Sequence, residues 1–231
     1  PIKSSAASDV YKRQAQRTLI LGRAGTEEPV LFTVREDFSL GSSSNAWGPV
    51  NVNADWNVLV ANGKTLNVYG ALNSSGRTIT VGGEGFSGTL VLNNAANASM
   101  TAEWVITSGS TVRCMNNSAL GSGLVTLDGG TLDFNSQTIG SAITLNMSGT
   151  GTLQNVTVDG AILSYTSSSG NDGITASNTT WTSGKIDIGR LLQGFSAEGS
   201  NTVDLGAELG EGFSVLGLET GQYLSLIHIS E

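Results

Sequence analysis

The chain is poor in the side chains that carry most acid–base, redox and metal chemistry. Its 231 residues hold one cysteine and one histidine, and charged residues make up only 13% against a usual ~25%. A single thiol, Cys114, excludes an intramolecular disulfide and any zinc site built from several cysteines. Cys114 stands in "TVRCMN", a strand-like phrase where a lone cysteine packs as a small hydrophobe. A nucleophilic thiol needs a lowered pKa and a neighbouring base, and Arg113 points to the opposite face of such a strand. No apolar run approaches the ~20 residues of a bilayer-spanning helix, so direct membrane insertion through one is not expected. The net charge of −8 repels phosphate backbones, which removes nucleic acid from the expected partners.

The one histidine, His228, lies in the closing octet "LSLIHISE". Near the start the chain reads "SSAASDVYKRQ", and a permitted coding of "DVYKRQ" has a reverse complement that translates as "LSLIHI". Both ends resemble the two strands of one inverted element, the mosaic-end adaptor of transposase-made sequencing libraries. Residues 1–14 and 224–231 are therefore read as adaptor-derived and set aside from the fold. His228 goes with them, and the remaining chain carries no group that titrates near neutrality unaided.

What the chain has in abundance is glycine, 31 residues of it, together with asparagine, serine and threonine. These favour tight corners and short strands over long helices. One phrase recurs: glycine, often a spacer, then threonine, an apolar residue, any residue, and another apolar residue. It appears as "GKTLNV" (63–68), "GRTITV" (76–81), "GTLVL" (88–92), "GSTVRC" (109–114), "GGTLDF" (129–134) and "GTLQN" (151–155). Each has the period-two alternation of a strand with one buried face. Leu66 and Val68, Ile79 and Val81, and Leu132 and Phe134 are expected inward. Thr65, Asn67, Thr131 and Asp133 are expected to face solvent.

Many short strands with frequent turns fit either a β-sandwich or a solenoid. The repetition favours the solenoid, since stacked coils reuse one corner-and-strand phrase while a sandwich needs strands in different roles. The expected fold is all-β, a right-handed single-stranded parallel β-helix with coils of about twenty to twenty-five residues and stacked asparagines at corners. Residues 15–50 read as its irregular start and 51–165 as its repeat core. Residues 166–223 read as degenerate coils or the start of another module.

The stretch Gly82–Phe134, "GGEGFSGTLVLNNAANASMTAEWVITSGSTVRCMNNSALGSGLVTLDGGTLDF", resembles the autotransporter-associated β-strand repeat. The matching pieces are Gly85–Leu92, Gly109–Cys114, the "ALGSG" turn at Ala119–Gly123, Val125–Leu127 and Gly129–Asp133. Trp104 departs from the pattern, standing where a small residue and threonine are usual. The resemblance implies the exported passenger of a surface protein, extracellular or attached to an outer membrane, acting as a stalk or adhesin. It also implies a C-terminal translocation module beyond this chain, polysaccharide or other surface ligands as partners, and no catalytic residue.

Four motifs bear on chemistry. "GEGFSG" (83–88) satisfies G-x-G-x-x-G, but "TLVL" after it reads as a strand, whereas a dinucleotide site needs a helix there. The same stretch approaches a calcium nonapeptide, with Ser87 in place of the carboxylate ligand, so neither cofactor nor metal is expected. Asp128, Asp133 and Asp187 are the acids that a polysaccharide-cleaving alternative would gather in one cleft. Trp47, Trp56, Trp104 and Trp181 are candidate sugar-stacking platforms. Of these, Trp104 is expected inward and Trp181 is expected to be the most exposed.

Overall fold

A computed structural model describes residues 18–23, 25, 28–44, 48–94, 96–107, 109–147, 150–165, 173–187, 202–204 and 209–216. The adaptor-like ends, His228 and Trp47 lie outside these residues. Among the described residues strands pair in parallel almost throughout, and the one helical element is a single 3-10 turn, Ala96–Ser99. The chain winds as a right-handed parallel β-solenoid. Partners in its ladders are separated by a whole coil: Trp56 pairs with Ile79, Ile79 with Trp104, Trp104 with Val125, and Val125 with Leu145. Side-chain bonds between coils span 18 to 28 residues of sequence, close to the expected coil length.

Each coil has three faces. The first is the column through Val30, Trp56, Ile79, Trp104, Val125, Leu145 and Leu163. The second runs through Phe38, Leu66, Leu90, Val112, Leu132, Leu153 and Ala176. The third begins with Leu19–Leu21, Val50–Val52 and the start of Leu72–Val81, and resumes at Gln137–Ile139, Val156–Val158 and Thr179–Trp181. Between these two stretches the strand is replaced by the 3-10 turn and by the turns of Asn116–Leu120. Farther along, Thr202–Asp204 and Leu209–Leu216 both pair in parallel with Gly173–Asp187.

The alternating phrases deliver the core. Leu66, Val68, Ile79, Val81, Leu132 and Phe134 are all buried, and they join one cluster that extends from Leu21 to Trp181. Two glycines show separate reasons for the residue that opens the phrase. Gly63 turns its corner at φ +69° with open space around it, so its need is conformational. Gly130 has an ordinary φ, but a Cβ there would come within 2.6 Å of the Ile106 carbonyl oxygen on the preceding coil. Its need is close approach, which Gly88 and Gly151 share where they meet a neighbouring coil.

Two expectations about exposure are corrected. Asp133 does not face solvent: it is 2% exposed. Its strand position is outward, but the coils on either side and the corner that follows close over it. Asn135 and Ser136 both take positive φ there, 48° and 65°, and fold the chain back across the carboxylate. Trp181 is likewise buried, because its register sets it beside Val158 on the third face, pointing inward. Its indole N–H donates to Thr179 Oγ1 at 3.0 Å.

Candidate functional site

The acids expected to gather in an enzymatic cleft are kept apart. Asp128 ends the first-face strand Gly123–Asp128, opposite Thr107, and is exposed. Asp133 sits on the second face, where Arg113 Nε donates to its Oδ2 at 2.9 Å. Asp187 closes the strand Gly173–Asp187, opposite Leu216. Among the described residues no three His, Cys, Asp or Glu side chains cluster as a metal would require.

Asp133 is the head of a ladder. Asn155 Nδ2 donates to Asp133 Oδ1 at 2.9 Å, and Asn178 Nδ2 donates to Asn155 Oδ1 at 2.8 Å. The backbone N–H of Asn135 also donates to Asp133 Oδ1, at 2.9 Å. Asn155 and Asn178 adopt φ of 55° and 52°, a left-handed corner that asparagine tolerates better than most residues. Burial alone would raise the Asp133 pKa, but the bonds from Asn155, Asn135, Arg113 and Gln154 outweigh it and hold the carboxyl below its ordinary 3.8. The carboxylate is thereby tied into the corner that follows its strand.

The sign of this shift gives a test. A folded pKa below the unfolded one contributes stability that is present above the unfolded value and lost as pH falls through the folded one. Asp133→Asn therefore loses less of its urea midpoint than the parent between pH 6 and the acid end of the folded range. Equal losses in parent and variant would show that Asp133 is not part of the acid response.

Cys114 is fully buried on the second face, beside Leu92 in the register, and burial pushes its thiol far above the ordinary range. It packs as a core residue. Trp56 and Trp104 are buried too, so neither offers a sugar platform. The Trp104 indole N–H donates to the Leu120 carbonyl at 3.1 Å. "GEGFSG" forms a tight reverse turn: Gly83 pairs with Phe86 in an isolated antiparallel bridge, and Phe86 N–H donates to Gly83 C=O at 2.9 Å. The strand Thr89–Leu92 follows, so no helix N-terminus is available to phosphate.

One concavity among the described residues gave no signal in the sequence. It is an open groove of about 460 Å³ on the third face, lined across three coils by Asn51, Val52, Asn53, Asn73, Ser74, Ser75, Arg77, Ser99 and Met100. Its origin is the break in the third-face sheet. Val50–Val52 pairs with the first residues of Leu72–Val81, but the next coil runs as the 3-10 turn Ala96–Ser99 and leaves a step beside that strand. Asn73 Nδ2 donates to Asn51 Oδ1 at 3.0 Å along one wall, and Ser74 Oγ is buried without a partner.

Asn97, inside the 3-10 turn, repairs the break in the ladder. Its Oδ1 accepts from Leu72 N–H at 2.7 Å on one coil, and its Nδ2 donates to Ala119 C=O at 2.8 Å on the next. The side chain is 1% exposed and takes the place of a missing strand. A buried asparagine between two turn-forming stretches gives no periodic signal, so alternation could not single it out.

No family model, curated protein or solved structure matches the chain.

Proposed function

We propose that this chain is a scaffold segment of a surface-exposed or secreted passenger of the autotransporter-like type, a stalk or adhesin with no catalysis of its own. One observation carries the reading. A single apolar core runs without interruption through the coils from Leu21 to Trp181, and the outward positions are dominated by Asn, Ser and Thr. Such a body makes length by repeating one coil, with stability contributed by each coil's contact with its neighbours. Its faces present rows of hydroxyl and amide groups at the spacing of stacked strands, suited to many weak polar contacts with a surface ligand. Asp133, one of the three acids that the cleaving alternative would gather, is bound in the corner ladder.

Recovery of the native gene around residues 15–223 tests the proposal. An export signal upstream and a translocation module or sorting signal downstream are expected, with antibody to residues 51–165 labelling intact cells. Labelling confined to permeabilised cells, or a catalytic module in the same reading frame, would overturn it.

A further inference from the structure

We propose that the third-face groove binds an acidic sugar, its carboxylate held by Arg77 and its hydroxyls by Asn53, Asn73, Ser75 and Ser99. Arg77 is not a general surface charge. The register pairs it with Ala102, an inward position that is 3% exposed, and Ile79 and Val81 on the same phase are fully buried. The inward position one coil earlier is Ala54, two residues before Trp56, and it is fully buried. A single arginine therefore stands between two buried alanines, one on each neighbouring coil. Only their smallness leaves room for its stem, and the guanidinium emerges at the corner, in the groove.

Among the described residues that guanidinium has no ion pair or hydrogen bond. Asp55 and Glu103 both lie opposite Thr78, one position from Arg77, and the Asp55 Oδ1 is occupied by Thr78 N–H at 3.0 Å. Glu103 pairs in register with Thr78, on the outward phase, and is exposed. A half-buried, planar cation with five donors favours a carboxylate that it can grip with two parallel bonds. Ser74 Oγ, buried and unpartnered, and the unused ends of the Asn51–Asn73 amide pair add polar groups of both senses beside it.

The groove walls narrow the ligand. A bare carboxylate or phosphate would engage the arginine and leave the amide and serine walls without partners. A sugar acid adds hydroxyl contacts along amide and serine walls, and about 460 Å³ lies within the ~300–1,000 Å³ of small-ligand sites. This inference is independent of the stalk role, which would survive an empty groove.

Calorimetric titration of the whole chain with a β-1,4-linked glucuronic acid trisaccharide tests it, alongside the trisaccharide methyl ester, cellotriose and sodium acetate. Saturable binding of the acid trisaccharide is expected, weakened about tenfold or more by esterification and by Arg77→Met, and less by Arg77→Lys. Circular dichroism of each variant checks the fold. Should Arg77→Met fail to fold, the exposed Ser75→Val and the methyl ester carry the test with the arginine in place. No saturation with the acid trisaccharide, equal affinity for cellotriose, or indifference to both the ester and the variants would overturn the proposal. Acetate binding as tightly as the trisaccharide would overturn its sugar component.

Discussion

Asn97→Ala is expected to destabilise the protein by about 2–5 kcal/mol, far more than its small volume change suggests. The side chain satisfies the buried Leu72 N–H and the Ala119 C=O at once, on coils either side of its own. Removing it leaves both groups without partners, at about 1–3 kcal/mol each. The aspartate variant separates hydrogen bonding from packing. Asn97→Asp keeps an acceptor for Leu72 N–H but turns an acceptor toward the Ala119 carbonyl and buries a charge. Both effects raise the folded pKa of the new carboxyl above its unfolded value. Its penalty is then full at neutral pH and relieved as pH falls and the acid form donates to Ala119. Urea midpoints of parent, Asn97→Ala and Asn97→Asp at pH 7 and pH 4.5 measure this. A loss below about 1 kcal/mol in the alanine variant would mean that the break is held by other contacts.

The sign for Asn97→Asp is opposite to that for Asp133, although both are acids buried between coils. Asp133 is surrounded by donors, from Arg113, Asn155 and the Asn135 backbone, and is therefore stabilised ionised. The site of Asn97 offers one donor and one acceptor, which only a neutral amide or a protonated acid can meet together. The same length of side chain is welcome as an anion at one corner and costly at another. Partner chemistry decides, not depth of burial.

That contrast also marks how far alternation along the chain could be read. Which residues point inward was legible, because it depends on period two within a few neighbours: Leu66, Val68, Ile79, Val81, Leu132 and Phe134 all lie in the core. The coil as the unit of construction was legible from the repeated glycine phrase. What lies above and below each residue was not, because that depends on a register about twenty residues away. Asp133 reads as outward and is outward, but is closed over by its neighbours in the stack. Trp181 sits in a run of polar residues and turns inward because it pairs with Val158. The groove combines both difficulties. It depends on one coil abandoning its third-face strand and on Arg77 falling between two buried alanines.

Trp104→Ala is expected to cost about 3–5 kcal/mol and to divide the solenoid's unfolding into two stages. Trp104 is among the largest fully buried side chains, 1% exposed, stacked between Ile79 and Val125 on the first face. Its indole N–H holds the Leu120 carbonyl at 3.1 Å, inside the turns that replace the third-face strand. The side chain thus spans the coil from its continuous first face to its weakest third face. In a stack where each coil is stabilised chiefly by its neighbours, a cavity at one level weakens that interface more than it weakens distant ones. Coils after Gly123 should then exchange amide hydrogen separately from those before Thr89, with a wider gap between the two groups than in the parent protein. Trp104→Phe fills most of the space but leaves the Leu120 carbonyl without its donor. Its loss should fall between parent and alanine variant and be concentrated in exchange of the amides at Asn116–Gly121. Uniform acceleration of exchange along the whole chain in both variants would show that the coils unfold cooperatively, with no boundary at Trp104.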